Sequence, residues 1–364
     1  MTAPSTARPR LLVFNLATDA DDPVLGFTTT WLNALAERCE VVDVITMRVG
    51  RLAVAPNVHV HSVGKERGVG EIRRALRFWR ILAGLLRRQR YDAAFAHMMP
   101  LFAILAAPLL RPRRVPMTLW FNHRSVTLRL RLAERLVDHV VTSSLEGFRL
   151  DSTKCVALGH GIDTDFFCPS TTVGAPAGPF TVLAAGRIAP IKGLDTVIEA
   201  VALTRSQCGV ELRLRLVGEP ATSDADYAQG LRRRIEALGL VDAVELPGAV
   251  RYDRMVKEYR AADVLVNLSP TGGQDKVVLE AMACGLPVVT SNDAFRELLG
   301  VSESLVVPDD DAPALAAQLL WLLGLSTDER RALGAQLRSE VVRRHGLSRL
   351  VDRLLGVAIA GARE

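Results

Sequence analysis

Residues 180–205 read FTVLAAGRIAPIKGLDTVIEAVALTR. FTVLAAG is a short run of β-branched and small apolar residues, and LDTVIEAVALTR repeats its apolar side chains at helical spacing. A buried strand that turns into a helix is half of a βαβ unit. Between the two, Arg187 and Lys192 follow Gly186 within six residues, and Gly193 stands at the helix start. A helix N-terminus attracts anions because its first N–H groups are unpaired and its dipole is positive there. An arginine fork and a lysine point charge added to it make a clamp for a diphosphate.

The same alternation runs in both directions. Downstream, LRLRLVG (212–218), ADVLVNLS (262–269) and LPVVTS (286–291) read as strands, separated by the helices LRRRIEALGL (231–240) and LEAMACG. Upstream, LLVFNLA (11–17), VVDVIT (41–46), VHVHSV (58–63), AAFAH (93–97), MTLWF (117–121) and HVVTSS (139–144) are strands between amphipathic stretches. CPSTTVGAPAGP (168–179) breaks both patterns with Pro, Gly, Ser and Thr and reads as a linker. The expected class is α/β, with two Rossmann-like, doubly wound parallel-sheet domains at 1–168 and 180–345, a hinge at 169–179 and a C-terminal segment at 346–364. Ligands of such sheets lie at the carboxyl ends of the strands, so the cleft between the domains is the expected site.

A chain of 364 residues exceeds one ordinary core, and 49% hydrophobic with 23% charged residues is a globular composition. Forty-five basic against 40 acidic residues leave +5, too mild to call for nucleic acid. Five scattered cysteines without a CxxC pair argue against a disulfide framework or a zinc site. Glycine signatures of dinucleotide and P-loop sites and the GxSxG elbow are missing. Acid-x-acid triplets such as Asp163/Asp165 are ordinary loop features, so no metal is required. The apolar run 98–110 is cut by Pro100 and Pro108 and is too short for a bilayer. A cytoplasmic location is expected.

RRALRFWRILAGLLRRQR (73–90) reads as a basic amphipathic helix. Leu76, Trp79, Leu82 and Leu86 share one face, and Arg73, Arg77, Arg80 and Arg87 another. Packing of the apolar stripe on a sheet is the preferred reading. Peripheral contact with the inner face of a membrane is the alternative.

GRIAPIKGLDTVIEA (186–200) resembles the GRL-x-x-x-KG-x-x-x-LI-x-A signature of GT-B glycosyltransferases, specifically the retaining GT4 family. The resemblance continues in order through GHGIDTDFFCP (159–169), LRLVGEP ending at Pro220, VELPGAV (244–250), AADVLVNLSP and LEAMACGLPVV. It implies a GT-B fold whose C-terminal helix packs back on the N-terminal domain. It further implies metal-independent sugar transfer, with retention, from a UDP- or GDP-linked donor to an acceptor hydroxyl on a lipid-linked, polysaccharide or natural-product molecule. No further cofactor is implied. Gly186, Arg187 and Lys192 take the donor diphosphate, where preorganised cations stabilise the leaving group. Glu280 takes the ribose hydroxyls as a two-oxygen acceptor. His123, ending VPMTLWFNH, corresponds to the residue against the donor sugar, and Gly26 to the glycine-rich loop after the first strand. The remaining alternatives are a non-catalytic sugar-nucleotide-binding protein and a GT-B-fold sugar-nucleotide epimerase.

One stretch departs from the family. In SPTGGQDKVVLEAMACGLPVV (269–289) the position of the family's first glutamate is Gly272, and Gln274-Asp275 replaces the usual Phe-Gly. Asp275, with the main-chain N–H groups of Gly272 and Gly273, is expected to take over sugar binding. The competing reading is that Asp275 and Lys276 only start the helix.

Overall fold

A computed structural model describes residues 8–22, 24–123, 125–170, 178–269 and 273–360. The chain divides into two compact units, residues 1–161 with 347–364, and residues 162–346.

The first unit carries a seven-stranded parallel sheet, ordered β3-β2-β1-β4-β5-β6-β7. Its strands are β1 Arg10–Thr18, β2 Val41–Val49, β3 Val58–Ser62, β4 Ala93–His97, β5 Met117–Trp120, β6 His139–Thr142 and β7 Cys155–Ala157. Its helices are α1 Phe27–Ala36, α2 Glu71–Arg88, α3 Pro100–Leu110 and α4 Leu128–Leu136. Successive side chains of a strand point to opposite faces, and β1 shows the result. Leu12 and Phe14 meet Phe78, Phe102 and Leu130 from α2, α3 and α4. Leu11 and Val13 meet Trp31 and Leu35 of α1 on the other face.

The second unit carries a five-stranded parallel sheet, ordered β10-β9-β8-β11-β12. Its strands are β8 Phe180–Ala185, β9 Leu212–Val217, β10 Val244–Gly248, β11 Val264–Asn267 and β12 Val288–Thr290. Its helices are α5 Leu194–Cys208, α6 Ala225–Ala237, α7 Met255–Ala261, α8 Lys276–Ala283, α9 Arg296–Leu299, α10 Ala312–Gly324 and α11 Thr327–His345. The last helix, α12 Leu347–Ala360, belongs to the first unit, where Leu350, Val351 and Leu354 are buried beside Trp31. Arg353 donates to the carbonyls of Ala157 and Leu158 there.

Residues 162–169 fold with the second unit. Phe167 is fully buried against Tyr252 and Tyr259, and Arg338 donates to the carbonyls of Thr164 and Phe167. Residues 171–177 of the expected linker lie outside the described residues.

The expected face of α2 is corrected. The buried stripe is Phe78, Leu82 and Leu85, whereas Leu76 and Trp79 are 51% and 41% exposed. The helix is rotated so that the i, i+4, i+7 set centred on Leu82 meets the sheet. Ile72, Leu76 and Trp79, a second set at the same spacing, are left outside.

Two helical glycines separate packing from propensity. A Cβ on Gly334, inside α11, would lie 1.9 Å from the carbonyl oxygen of Gly285 in the turn after α8. A Cβ on Gly84, inside α2, would meet nothing within 4 Å. Gly334→Ala is expected to cost about 1–3 kcal/mol by forcing α11 off α8. Gly84→Ala is expected to stabilise by about 0.5–1 kcal/mol. Urea denaturation of the two variants checks both signs.

Candidate functional site

In the second sheet β8 is the first strand of the unit, with β9 and β10 on one side and β11 and β12 on the other. The loops that leave β8 and β11 therefore diverge at their carboxyl ends and open a crevice at the switch point. The backbone is shaped for it. Gly193 (φ 55°) starts α5, and a Cβ there would stand 3.0 Å from Cβ of Leu268, so its absence lets the α5 terminus press on the loop after β11. A Cβ on Gly218 would meet the carbonyl oxygen of Gly186 at 1.8 Å, which fixes the ends of β8 and β9 close together. The hollow that results is lined by Ala185, Gly186, Arg187, Lys192, Val217 and Asn267.

Charges from the two loops meet in this hollow. Nζ of Lys192 lies 2.6 Å from Oδ2 of Asp275, and Nδ2 of Asn267 donates to the same oxygen at 3.0 Å. Asp275 holds the N-cap position of α8, yet its side chain makes no capping hydrogen bond. Its carboxylate is bonded to Lys192 and Asn267. Oδ1 of Asn267 is buried without a partner among the described residues. Arg187 has a side chain 63% exposed, with Asp224 3.9 Å away. The loop before α8 is pinned to the segment after β12. Asn292 donates to the carbonyl of Gly273 at 2.8 Å, and Gln274 to that of Ala294 at 3.0 Å.

Glu280 lies in α8 and is only 3% exposed. The Tyr259 hydroxyl donates to its Oε2 at 2.9 Å, and Tyr252 bonds to it as well. Burial pushes its carboxyl up to about 7, opposed by the Lys276 ammonium one turn earlier and by the two tyrosine hydrogen bonds. Loss of hydration pulls the Lys276 amine down to about 7, opposed by the charge of Glu280. Each charge favours the ionised form of the other.

Seven of the expected site residues lie in the second unit: Gly186, Arg187, Lys192 and Asp275 at the hollow, Gly273 in the loop before α8, and Lys276 with Glu280 in α8. Gly272 lies outside the described residues. Gly26 and His123 belong to the other unit. Gly26 is buried at the N-cap of α1 with φ −54°, a conformation open to any residue. The turn before it is held by Asp22, whose Oδ1 accepts from the N–H groups of Val24 and Leu25 and whose other oxygen pairs with Arg48. His123 is exposed, three residues past β5. The Ser125 N–H donates to its Nδ1 at 3.1 Å, which leaves the ring proton on Nε2 in the neutral form. Asn267, Tyr252 and Tyr259 escape the sequence reading. Asn267 had a signal, as the polar residue that ends an apolar strand.

Two parallel sheets with a cation-lined switch point place the chain in the GT-B class. Anabaena Alr3699/HepE in complex with UDP is similar in fold, with a TM-score of 0.72 at 17% identity over 95% of this chain and 98% of that one. A Thermosynechococcus elongatus sucrose-phosphate synthase has a TM-score of 0.68 at 18% identity, covering 96% of this chain and 98% of that one. Residues 179–324 match the family model described as Glycosyl transferases group 1. A D-inositol 3-phosphate glycosyltransferase of Kineococcus radiotolerans is 32% identical over 56% of this chain and 52% of its own. The putative colanic acid biosynthesis glycosyltransferase WcaL of Escherichia coli is 34% identical over 50% of this chain and 45% of its own. The chain thus spans about half the length of the curated relatives it matches.

The coupled pair in α8 gives a pH signature. A carboxyl pushed up from 4.5 to about 7 contributes stability below 4.5 and loses it as pH rises through about 7. An amine pulled down from 10.5 contributes stability above that value and loses it as pH falls through about 7. Glu280→Gln removes the first effect and enlarges the second, because the amine loses the charge that opposed its lowering. Its stability relative to the parent is therefore expected to rise between pH 5 and pH 8 in urea titrations. A difference that is flat with pH would mean that Glu280 stays ionised throughout.

Proposed function

We propose that this protein transfers a sugar from a UDP- or GDP-linked donor to an acceptor hydroxyl, with retention of anomeric configuration and without a metal ion. One observation carries the reading: Lys192 is held by Asp275 in a hollow at the switch point that Arg187 also lines, within the residues that match the group 1 model, and Asp275 begins the helix that carries Glu280. Arg187 and Lys192 offset the charge that grows on the diphosphate as the glycosidic bond breaks. Glu280 accepts from the vicinal hydroxyls of the ribose, and Asn267 Oδ1 offers one further acceptor. UDP in the structure of Anabaena HepE is in keeping with a nucleotide donor. Retention and metal independence rest on the motif resemblance. His123 and Gly26 are proposed to serve the donor sugar and the acceptor.

Asp275 acts in this reading by holding the Lys192 amine in the hollow, and it contacts the sugar only beyond that ion pair. The ammonium has three protons, so it reaches a phosphate oxygen without leaving Asp275.

The test is incubation with UDP- and GDP-sugars, reading thermal shift, donor hydrolysis and transfer, with product anomers assigned by NMR. Stabilisation by a nucleotide with slow hydrolysis that survives EDTA is expected. Stabilisation without turnover of any donor would favour a binding protein, and no stabilisation by any nucleotide would remove the reading. Lys192→Ala is expected to lower kcat by roughly 10²–10³-fold, the range for losing one preorganised electrostatic donor. Asp275→Ala should lower turnover much more than nucleotide affinity. Equal losses in both would show that Asp275 serves binding alone.

A further inference from the structure

Positive charge in this chain is segregated. Residues 71–136 contain fourteen arginines, no lysine and three acidic residues, Glu71, Asp92 and Glu134. The whole chain has 45 basic and 40 acidic residues, so everything outside this segment is net acidic. The segment forms α2, α3 and α4, which cover one face of the first sheet, with α3 packed against both neighbours.

The outer surface of these three helices is both apolar and basic. On α2, Ile72 is 79% exposed, Leu76 51% and Trp79 41%. Trp79 leans onto α3, where its indole N–H donates to the carbonyl of Leu105 at 2.7 Å. α3, PLFAILAAPLL, has no polar side chain in eleven residues, although only its inner side is fully buried. A helix apolar all round at a protein surface lacks the polar face that water requires. On α4, Leu128 is 84% and Leu132 46% exposed. Arg73, Arg80 and Arg87 project from α2 and Arg129, Arg131 and Arg135 from α4, all exposed. Among the described residues of this face only Arg74 reaches a carboxylate, Glu71 at 3.7 Å.

We propose that this face of the first unit docks on an anionic lipid surface, with the arginines on the headgroups and Ile72, Leu76, Trp79 and Leu128 at the acyl boundary. The combination selects the partner. A nucleic acid satisfies the arginines but leaves the exposed leucines in water. An apolar protein groove satisfies the leucines but leaves the unpaired arginines unmatched. A bilayer with acidic headgroups satisfies both at one depth, and a half-exposed tryptophan suits that boundary. No helix among the described residues is long and apolar enough to cross a membrane, so the contact is with the surface. The proposal needs no donor and stands apart from the transferase reading.

The test is flotation of the full chain with vesicles of phosphatidylcholine, alone or mixed with phosphatidylglycerol. Flotation is expected only with phosphatidylglycerol, weakening as salt rises. Brominated acyl chains should quench tryptophan fluorescence, and Trp79→Phe should remove that quenching. Trp321, the other exposed tryptophan, serves as the internal control. Arg80→Glu and Arg87→Glu should each weaken partitioning at least about fivefold, from the approximate worth of one basic residue at such a surface. Leu76→Ser should weaken it without changing the melting temperature, because Leu76 is exposed. Absence of flotation, or equal flotation on both compositions, overturns the proposal. Two other outcomes also overturn it: capture by RNA in place of vesicles with no quenching, or a dimer that Leu76→Ser dissociates.

Discussion

The ion pair between Lys192 and Asp275 joins two loops that leave adjacent strands and are 83 residues apart in sequence. Both side chains are about a quarter exposed, 21% and 27%. An exposed pair contributes about 0–1 kcal/mol, and a more enclosed one loses much of its attraction to dehydration. Its consequence is therefore position more than stability. The ammonium is fixed at the switch point because Asp275 is itself held by Asn267, at the end of β11. Gly193 lets the α5 terminus approach that strand end, and Gly218 lets β9 approach β8. Replace any of these constraints and the cation has no reason to stand in the hollow.

This dependence explains what could be read in the sequence. The strands AAFAH and LRLRLV and the loop residues Arg187 and Lys192 are legible because their signals are local: period, glycine and charge within a few positions. The same holds for Glu280, a carboxylate in an apolar helix. Two strands went unread because CVA is three residues long and VELPG carries an acid and a proline. The partners of Glu280 lie 21 and 28 residues away, and only the rotation of α7 onto α8 makes Tyr259 a neighbour. Nor was the ion pair of Asp275 legible, since it follows from the pairing of β8 with β11.

The phase of α2 failed for a related reason. Its sequence carries two apolar sets at i, i+4, i+7, one through Leu76 and one through Leu82. Periodicity alone ranks them equally. The choice is made by the ring of Phe78, which packs 5.4 Å from Phe14 of β1 and 4.6 Å from Phe102 of α3. The three phenylalanine rings pack on one another in the core, so the second set stays outside. A helix with two apolar sets is then a helix with two interfaces, one of which the fold leaves unfilled.

Glu280, which the proposed function assigns to the ribose, shows what folding alone does to a buried carboxyl. A carboxylate in water must shed its hydration when a diol replaces it, and that loss is subtracted from affinity. Glu280 has shed it on folding, as its raised carboxyl records. Two tyrosine hydroxyls and the Lys276 ammonium offset part of that cost, each lowering the carboxyl from where burial alone would place it. They also fix the orientation of the carboxylate, so in the proposed function it would accept a hydroxyl without rearranging. The tyrosines come from α7 and the segment before it, and the lysine from α8 itself. The strength of the acceptor is thus set by packing between two helices, one turn away from the loops that hold the cations.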